Sequence, residues 1–381
     1  VSNARTWTGV LLLCGALLVA ACGDESVSAD PITERSLPEE AATVTPEGGE
    51  EAAATTDLET ESPEGPEVLV DSVGCASVPL YDRAADPAER GPWPVGVTTV
   101  KMGRLDVEVL YPASPGSEAG LDPMEVDIRY ALPASEQAKV TDDVRPHQSC
   151  DCYRDLPLDD TQGPYPLVLF VHGTASWRTQ SLSLMEHWAS RGFVVASADH
   201  PGLWLSDILS NVCGLPPSGA QDLQGDLAAV LAGFTNGTEG LEFLSGRVDL
   251  ARVAVAGHSA GANAATSAAV LDGVQVVISM AGSGATNVSA LDSALFLGGM
   301  ADSVVSFSET EKAYNGTSVA RRLVGITGGG HLVFSDICEL TNDNGQDLVE
   351  IATEAGVCGT MFAAFLFDCA ASTIPAEDSN A

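Results

Sequence analysis

The run Gly257-His258-Ser259-Ala260-Gly261 limits what this chain can fold into more than any other feature. It follows the short apolar stretch Val253–Ala256 and opens an alanine-rich segment, so it reads as a tight turn from a buried strand into a helix. Such a turn lifts the serine hydroxyl above the end of a sheet, and the flanking glycines are needed where a side chain would clash. The helix N-terminus beneath it favours negative charge developing beside the serine. Ser259 is therefore the candidate nucleophile.

The rest of the chain supplies the sheet that this turn requires. Leu167–Val171, Phe193–Ala198, Val253–Ala256, Val274–Met280, Ala294–Gly298 and Leu323–Thr327 are short, nearly continuous apolar runs. Strands covered on both faces have that composition. Helical stretches such as Ser181–Ser190 and Ala220–Phe234 lie between them, and alternating strand and helix imply a parallel sheet with helices on both sides. Thr98–Met102 and Leu105–Pro112, turning at Gly103, alternate as an antiparallel hairpin does. Residues 113–163 and Leu203–Pro217 are expected to be an irregular excursion and a loop. In the latter, Leu203, Trp204, Leu205 and Ile208 are candidates to line an apolar pocket.

The formal net charge of −36 argues against nucleic-acid binding, which needs a basic surface to release counterions. From Asp24 to Asp71 the only cation is Arg35, and large apolar residues are scarce, so residues 22–72 read as an acidic disordered tether. Ahead of it, Arg5 and the apolar stretch Val10–Ala21 have the form of an export signal, too short to span a bilayer comfortably. Leu18-Val19-Ala20-Ala21-Cys22-Gly23 resembles the lipobox of bacterial lipoproteins, which implies a signal over residues 1–21. It also implies a lipid anchor at Cys22 and a place in the bacterial cell envelope. The catalytic domain is then expected over 73–375. Of nine cysteines, Cys14 would leave with the signal and Cys22 would carry lipid, so seven remain: Cys75, Cys150, Cys152, Cys213, Cys338, Cys358 and Cys369. At most three disulfides can form among them, and Cys150 and Cys152 are expected to be too close to pair easily with each other. Asn342-Asp343-Asn344-Gly345 lacks the carboxylates that a calcium loop carries at its first and twelfth positions, so no metal and no cofactor is expected.

Five segments together resemble the α/β-hydrolase superfamily, and within it platelet-activating-factor acetylhydrolases and bacterial cutinases. They are Tyr111-Pro112-Ala113, Phe170-Val171-His172-Gly173, Ala198-Asp199-His200-Pro201-Gly202, the serine turn, and Gly330-His331-Leu332-Val333-Phe334-Ser335-Asp336. The resemblance implies a mostly parallel sheet of about eight strands without a large cap domain, and hydrolysis of small-molecule or lipid esters. It also assigns roles. Asp302, after the strand ending at Gly298, orients the base, with Asp292 and Asp336 as rivals; His331, set among glycines after the last strand, is the base. The order Ser–Asp–His agrees with the superfamily. The tetrahedral oxyanion would be met by the backbone N–H of Ala260 and by that of Thr174, with Gly173 or Ala175 as alternatives to Thr174. His172 and His200 occupy architectural positions in that comparison, and His258 belongs to the turn and points away from the reacting atom. The same three side chains would also serve acyl transfer or peptide cleavage.

Overall fold

A computed structural model of the protein describes Asp86, residues 88–361 and Cys369. The signal segment, the tether, Cys22 and Cys75 lie outside the described residues. Eleven strands are described: β1 Val95–Met102, β2 Leu105–Pro112, β3 Glu125–Asp127, β4 His147–Ser149, β5 Cys152–Arg154, β6 Tyr165–Val171, β7 Val194–Ala198, β8 Val248–His258, β9 Val274–Met280, β10 Ser293–Gly299 and β11 Arg321–Ile326. The α-helices are α1 Ala134–Gln137, α2 Leu182–Ser190, α3 Leu205–Cys213, α4 Leu223–Asn236, α5 Ala260–Ser267, α6 Phe307–Gly316 and α7 Leu348–Glu354.

Nine strands form one sheet in the order β11-β10-β9-β8-β6-β7-β2-β1-β5. From β7 through β11 the pairings are parallel, while β2 runs antiparallel to both β1 and β7. All seven residues of β6 are buried. Leu167, Leu169 and Val171 join one core with Leu227 and Val230 of α4, Ala264 and Ala265 of α5, and Ala313 of α6. Val168 and Phe170 join the other with Leu182, Met185 and Ala189 of α2 and with Leu332, Val333 and Phe334. Period-two alternation along a central strand thus feeds two apolar layers, one on each face. This is the α/β-hydrolase arrangement, and only residues 281–292 connect β9 to β10, with no cap inserted there.

The mostly parallel sheet agrees with the expected one of about eight strands, and two other expectations need correction. The sheet has nine strands because the excursion contributes β5, which pairs parallel with β1 at Val95–Val97, while β3 and β4 form a separate two-stranded ribbon. The segment expected as a loop at Leu203–Pro217 contains helix α3, closed by Gly214 in the left-handed region at φ 72°. Leu205, Ile208, Leu209 and Val212 recur at helical spacing, which the surrounding turn-forming residues obscured. Cys150 and Cys152 are bonded to each other, with Cα atoms 5.1 Å apart. The bend at Asp151 shortens the separation into the range disulfides accept. Two further bridges join Cys213 to Cys358 and Cys338 to Cys369.

Candidate active site

Among the described residues, the implied triad and oxyanion residues stand at the C-terminal ends of parallel strands, where open α/β sheets hold their ligands. Ser259 follows β8, Asp302 lies beyond β10 and His331 beyond β11, while Thr174 is in the loop leaving β6. Adjacent register brings these loops together: Val171 of β6 pairs with Gly257 of β8, and Gly299 of β10 pairs with Ile326 of β11.

The turn itself is set by close backbone packing. Ser259 adopts φ 58° and ψ −120°, a conformation that side-chain-bearing residues seldom take. A Cβ on Gly261 would lie 2.1 Å from the Val171 carbonyl oxygen, and one on Gly257 would lie 2.2 Å from that of Gly261. No side chain fits at either place. Gly299 plays the matching part for His331: a Cβ there would lie 2.4 Å from the Gly329 oxygen, so glycine lets the His331 loop rest on the end of β10. Ala301 N–H donates to that same oxygen at 2.9 Å.

With these loops seated, Ser259 Oγ is 2.9 Å from His331 Nε2, and His331 Nδ1 is 2.8 Å from Asp302 Oδ2. The other carboxylate oxygen, Oδ1, accepts the N–H groups of Val304 and Val305 at 2.8 Å each. Asp302 is thereby held by its own loop with one oxygen directed at the imidazole. The rival acids are elsewhere. Asp292 is exposed before the start of β10, at the far end of the sheet. Asp336 is buried, but it accepts from Gln148 Nε2 at 2.7 Å and from the N–H and hydroxyl of Ser183. Burial raises its carboxyl to a pKa of about 6.

The candidate oxyanion donors can be sorted by what each amide already does. Gly173 N–H donates to Gln180 Oε1 at 2.7 Å, and Ala175 N–H donates to the Leu203 carbonyl at 2.9 Å. Among the described residues, the N–H groups of Thr174 and Ala260 have no acceptor. Both residues flank Ser259 in chain or space: Thr174, Ser259 and His331 line one small cavity.

The loop carrying Thr174 is anchored at several points. His172 Nδ1–H donates to the Gly173 carbonyl at 2.8 Å, and His172 Nε2 accepts the His200 N–H at 3.2 Å. Burial, then the neighbouring His200, pushes the His172 pKa down to about 3, so this ring stays neutral. Further along, Arg178 Nε donates to Glu108 Oε2 at 3.0 Å, its N–H to Asp199 Oδ1 at 2.8 Å, and its guanidinium lies 4.3 Å from the centre of the Tyr130 ring. His258 packs its ring 4.7 Å from that of His331. Its Nε2 is 2.8 Å from the His331 carbonyl and its Nδ1 is 3.1 Å from Gln180 Nε2. The part played by Gln180 had no motif to reveal it, because it depends on contacts across 78 positions of sequence.

Beside the small cavity lies an apolar one of about 130 Å³, and Ala175 borders both. Its walls come from α3 (Leu205, Ile208, Leu209), from α7 (Leu348, Ile351) and from Trp177. Of the four residues singled out as pocket candidates, Leu205 and Ile208 line it. Leu203 is buried in packing, and Trp204 bridges to Ser176. The Cys213–Cys358 disulfide ties the end of α3 to the segment after α7.

The sequence matches the family described as Chlorophyllase over residues 156–281, about a third of the chain. That stretch contains Thr174 and the Ser259 turn and stops short of Asp302 and His331. No curated protein matches the chain. Among solved structures, it is similar to a ferulic acid esterase from Streptomyces cinnamoneus, at 22% identity and a TM-score of 0.47, covering 74% of this chain and 91% of that one.

Proposed function

We propose that the protein is a serine hydrolase that cleaves carboxylic esters through an acyl-enzyme. The carrying observation is the continuous line from Asp302 Oδ2 through the His331 ring to Ser259 Oγ, with spacings of 2.8 and 2.9 Å. In this reading His331 Nε2 takes the serine proton as Oγ attacks the ester carbonyl, then returns it to the departing alkoxide. Asp302 holds the ring's other proton on Nδ1 and stabilises the imidazolium while it exists. The Thr174 and Ala260 N–H groups meet the oxyanion without reorganising; removing one such donor typically costs about 10²–10³ in rate. Water then attacks the acyl-enzyme with His331 again as base. The match to the Chlorophyllase family over the stretch bearing the serine turn supports the hydrolase reading.

The apolar cavity that shares Ala175 as a wall with the small cavity over Ser259 suits the hydrocarbon part of an ester, so the substrate class is an ester with an apolar acyl or alkyl group. Export and lipid attachment at Cys22 belong to the same reading: a membrane-tethered enzyme acting outside the cytoplasm on small-molecule or lipid esters.

Two measurements test this. A fluorophosphonate probe should label the wild type and fail on Ser259→Ala. Hydrolysis of p-nitrophenyl esters of graded acyl length should then be measured with wild type and with Ile208→Trp, which fills the cavity. Cleavage of longer chains should fall in Ile208→Trp while acetate cleavage persists. Absence of both labelling and ester cleavage in the wild type would sink the reading.

A further inference from the structure

Gln180 is wholly buried and lines the cavity over Ser259, and both ends of its side chain are in use. Oε1 accepts the Gly173 N–H at 2.7 Å, which orients the amide so that its NH₂ group faces His258 Nδ1 at 3.1 Å. A donor in that place leaves Nδ1 without a proton. The ring proton therefore sits on Nε2, which donates to the His331 carbonyl at 2.8 Å. Burial, then the neighbouring His331, keeps the His258 pKa down at about 3, so this neutral form persists through the physiological range. The chain Gly173–Gln180–His258–His331 thus ends, on one side, next to Thr174 and its unbonded amide. On the other side it ends at the candidate base. Ala175, bonded to Leu203, holds the far flank of the Thr174 amide.

We propose that Gln180 and His258 are a positioning pair that fixes the Thr174 amide and the His331 imidazole relative to each other, so that oxyanion donor and base address one carbonyl carbon. Neither residue moves a proton in the reaction. The proposal rests on ester hydrolysis by Ser259: a wild type that neither labels nor turns over ends that reading, whereas an active wild type with unaffected variants ends only this proposal.

The test compares Gln180→Leu, Gln180→Glu, His258→Phe and the double variant Gln180→Leu/His258→Phe on p-nitrophenyl acetate, each normalised to sites titrated with fluorophosphonate. Gln180→Leu should lower kcat about 10²-fold with KM within a few-fold, the loss expected when catalytic groups shift by about an ångström. The double variant should be no worse than Gln180→Leu alone, because both changes break one chain of contacts. Gln180→Glu gives a pH signature. While protonated, the acid can accept from Gly173 and donate to His258; once ionised, it has no proton for His258 Nδ1. The titratable groups around it are His258, with His172 and His331 beyond, and Asp336, whose N–H donates to the Gln180 carbonyl at 3.0 Å. Burial raises a carboxyl's pKa, so kcat of Gln180→Glu should fall with rising pH along a limb absent from wild type and from Gln180→Leu. The proposal is overturned by kcat of Gln180→Leu within threefold of wild type per titrated site. A double variant losing the product of the single effects, or a Gln180→Glu pH profile parallel to wild type, would also overturn it. If Gln180→Leu yields no titratable sites, Gln180→Glu and His258→Phe carry the comparison.

Discussion

Replacing Asp302 with asparagine isolates what the carboxylate does for the imidazole. Oδ1 accepts two backbone N–H groups, from Val304 and Val305, and Oδ2 faces His331 Nδ1. In Asp302→Asn the lone carbonyl has to stay with the two backbone donors, since reversal would set NH₂ against both. The NH₂ group then faces His331 Nδ1 at the former 2.8 Å contact, and Nδ1 must accept. The ring proton moves to Nε2, opposite Ser259 Oγ, and the base becomes a donor. Wrong-tautomer triads lose about 10⁴ in kcat, which at about 1.36 kcal/mol per decade is about 5 kcal/mol of transition-state stabilisation. Because the two backbone bonds survive, Tm should shift little and KM should hold. The assay is steady-state hydrolysis of p-nitrophenyl acetate, with Ser259→Ala as the blank. Asp302→Asn retaining activity within tenfold of wild type would refute the argument that Asp302 orients the base.

Two further outcomes concern stability. His172 and His258 have folded-state pKa values pushed to about 3, below the ordinary 6.5, so the stability they contribute is full above pH 6.5 and is lost as pH falls toward 3. Asp336, raised to about 6, acts oppositely: its contribution is present below about 3.8 and lost as pH rises through 6. Between pH 6.5 and 4 the two histidines cost about 6 kcal/mol together and Asp336 returns about 2, leaving a net loss of about 4 kcal/mol. The urea midpoint should therefore drop on acidification, and a midpoint that rises over this window contradicts the balance. The Cys213–Cys358 bridge closes 145 positions of sequence, for which chain entropy allows up to about 5 kcal/mol. Cys213→Ser/Cys358→Ser should lower Tm by on the order of 10 °C. An unchanged Tm would show that packing of α3 against α7 suffices without the bridge.

How much of this was legible beforehand can be judged residue by residue. The apolar runs now seen as β6–β11 could be read because a strand buried on both faces admits hardly any polar residue. Their ends were less sharp: β8 extends from Val248 to His258, well beyond Val253–Ala256, and β7 starts at Val194 rather than Phe193. The serine turn was legible because its glycines answer to a local steric demand. Helix α3 is not legible in the sequence although its apolar spacing is present, since nothing local says which wall such a stripe will face. The cavity that receives it is assembled from segments more than a hundred positions apart.

By itself, the sequence determined the alternation of strand and helix and the serine turn, both consequences of short-range periodicity and backbone sterics, while the Ser–Asp–His order was implied by the resemblance to the α/β-hydrolase superfamily. Only the tertiary structure decided the rest. It set Asp302 rather than Asp336 beside the His331 ring, while hydrogen bonds from Ser183 and Gln148 occupy the second carboxylate. It left the Thr174 amide open by occupying those of Gly173 and Ala175, and it made Gln180 and His258 a bridge between two loops. Hydrogen bonds across long separations depend on where the sheet register sets each loop, and no local pattern of residues encodes that placement.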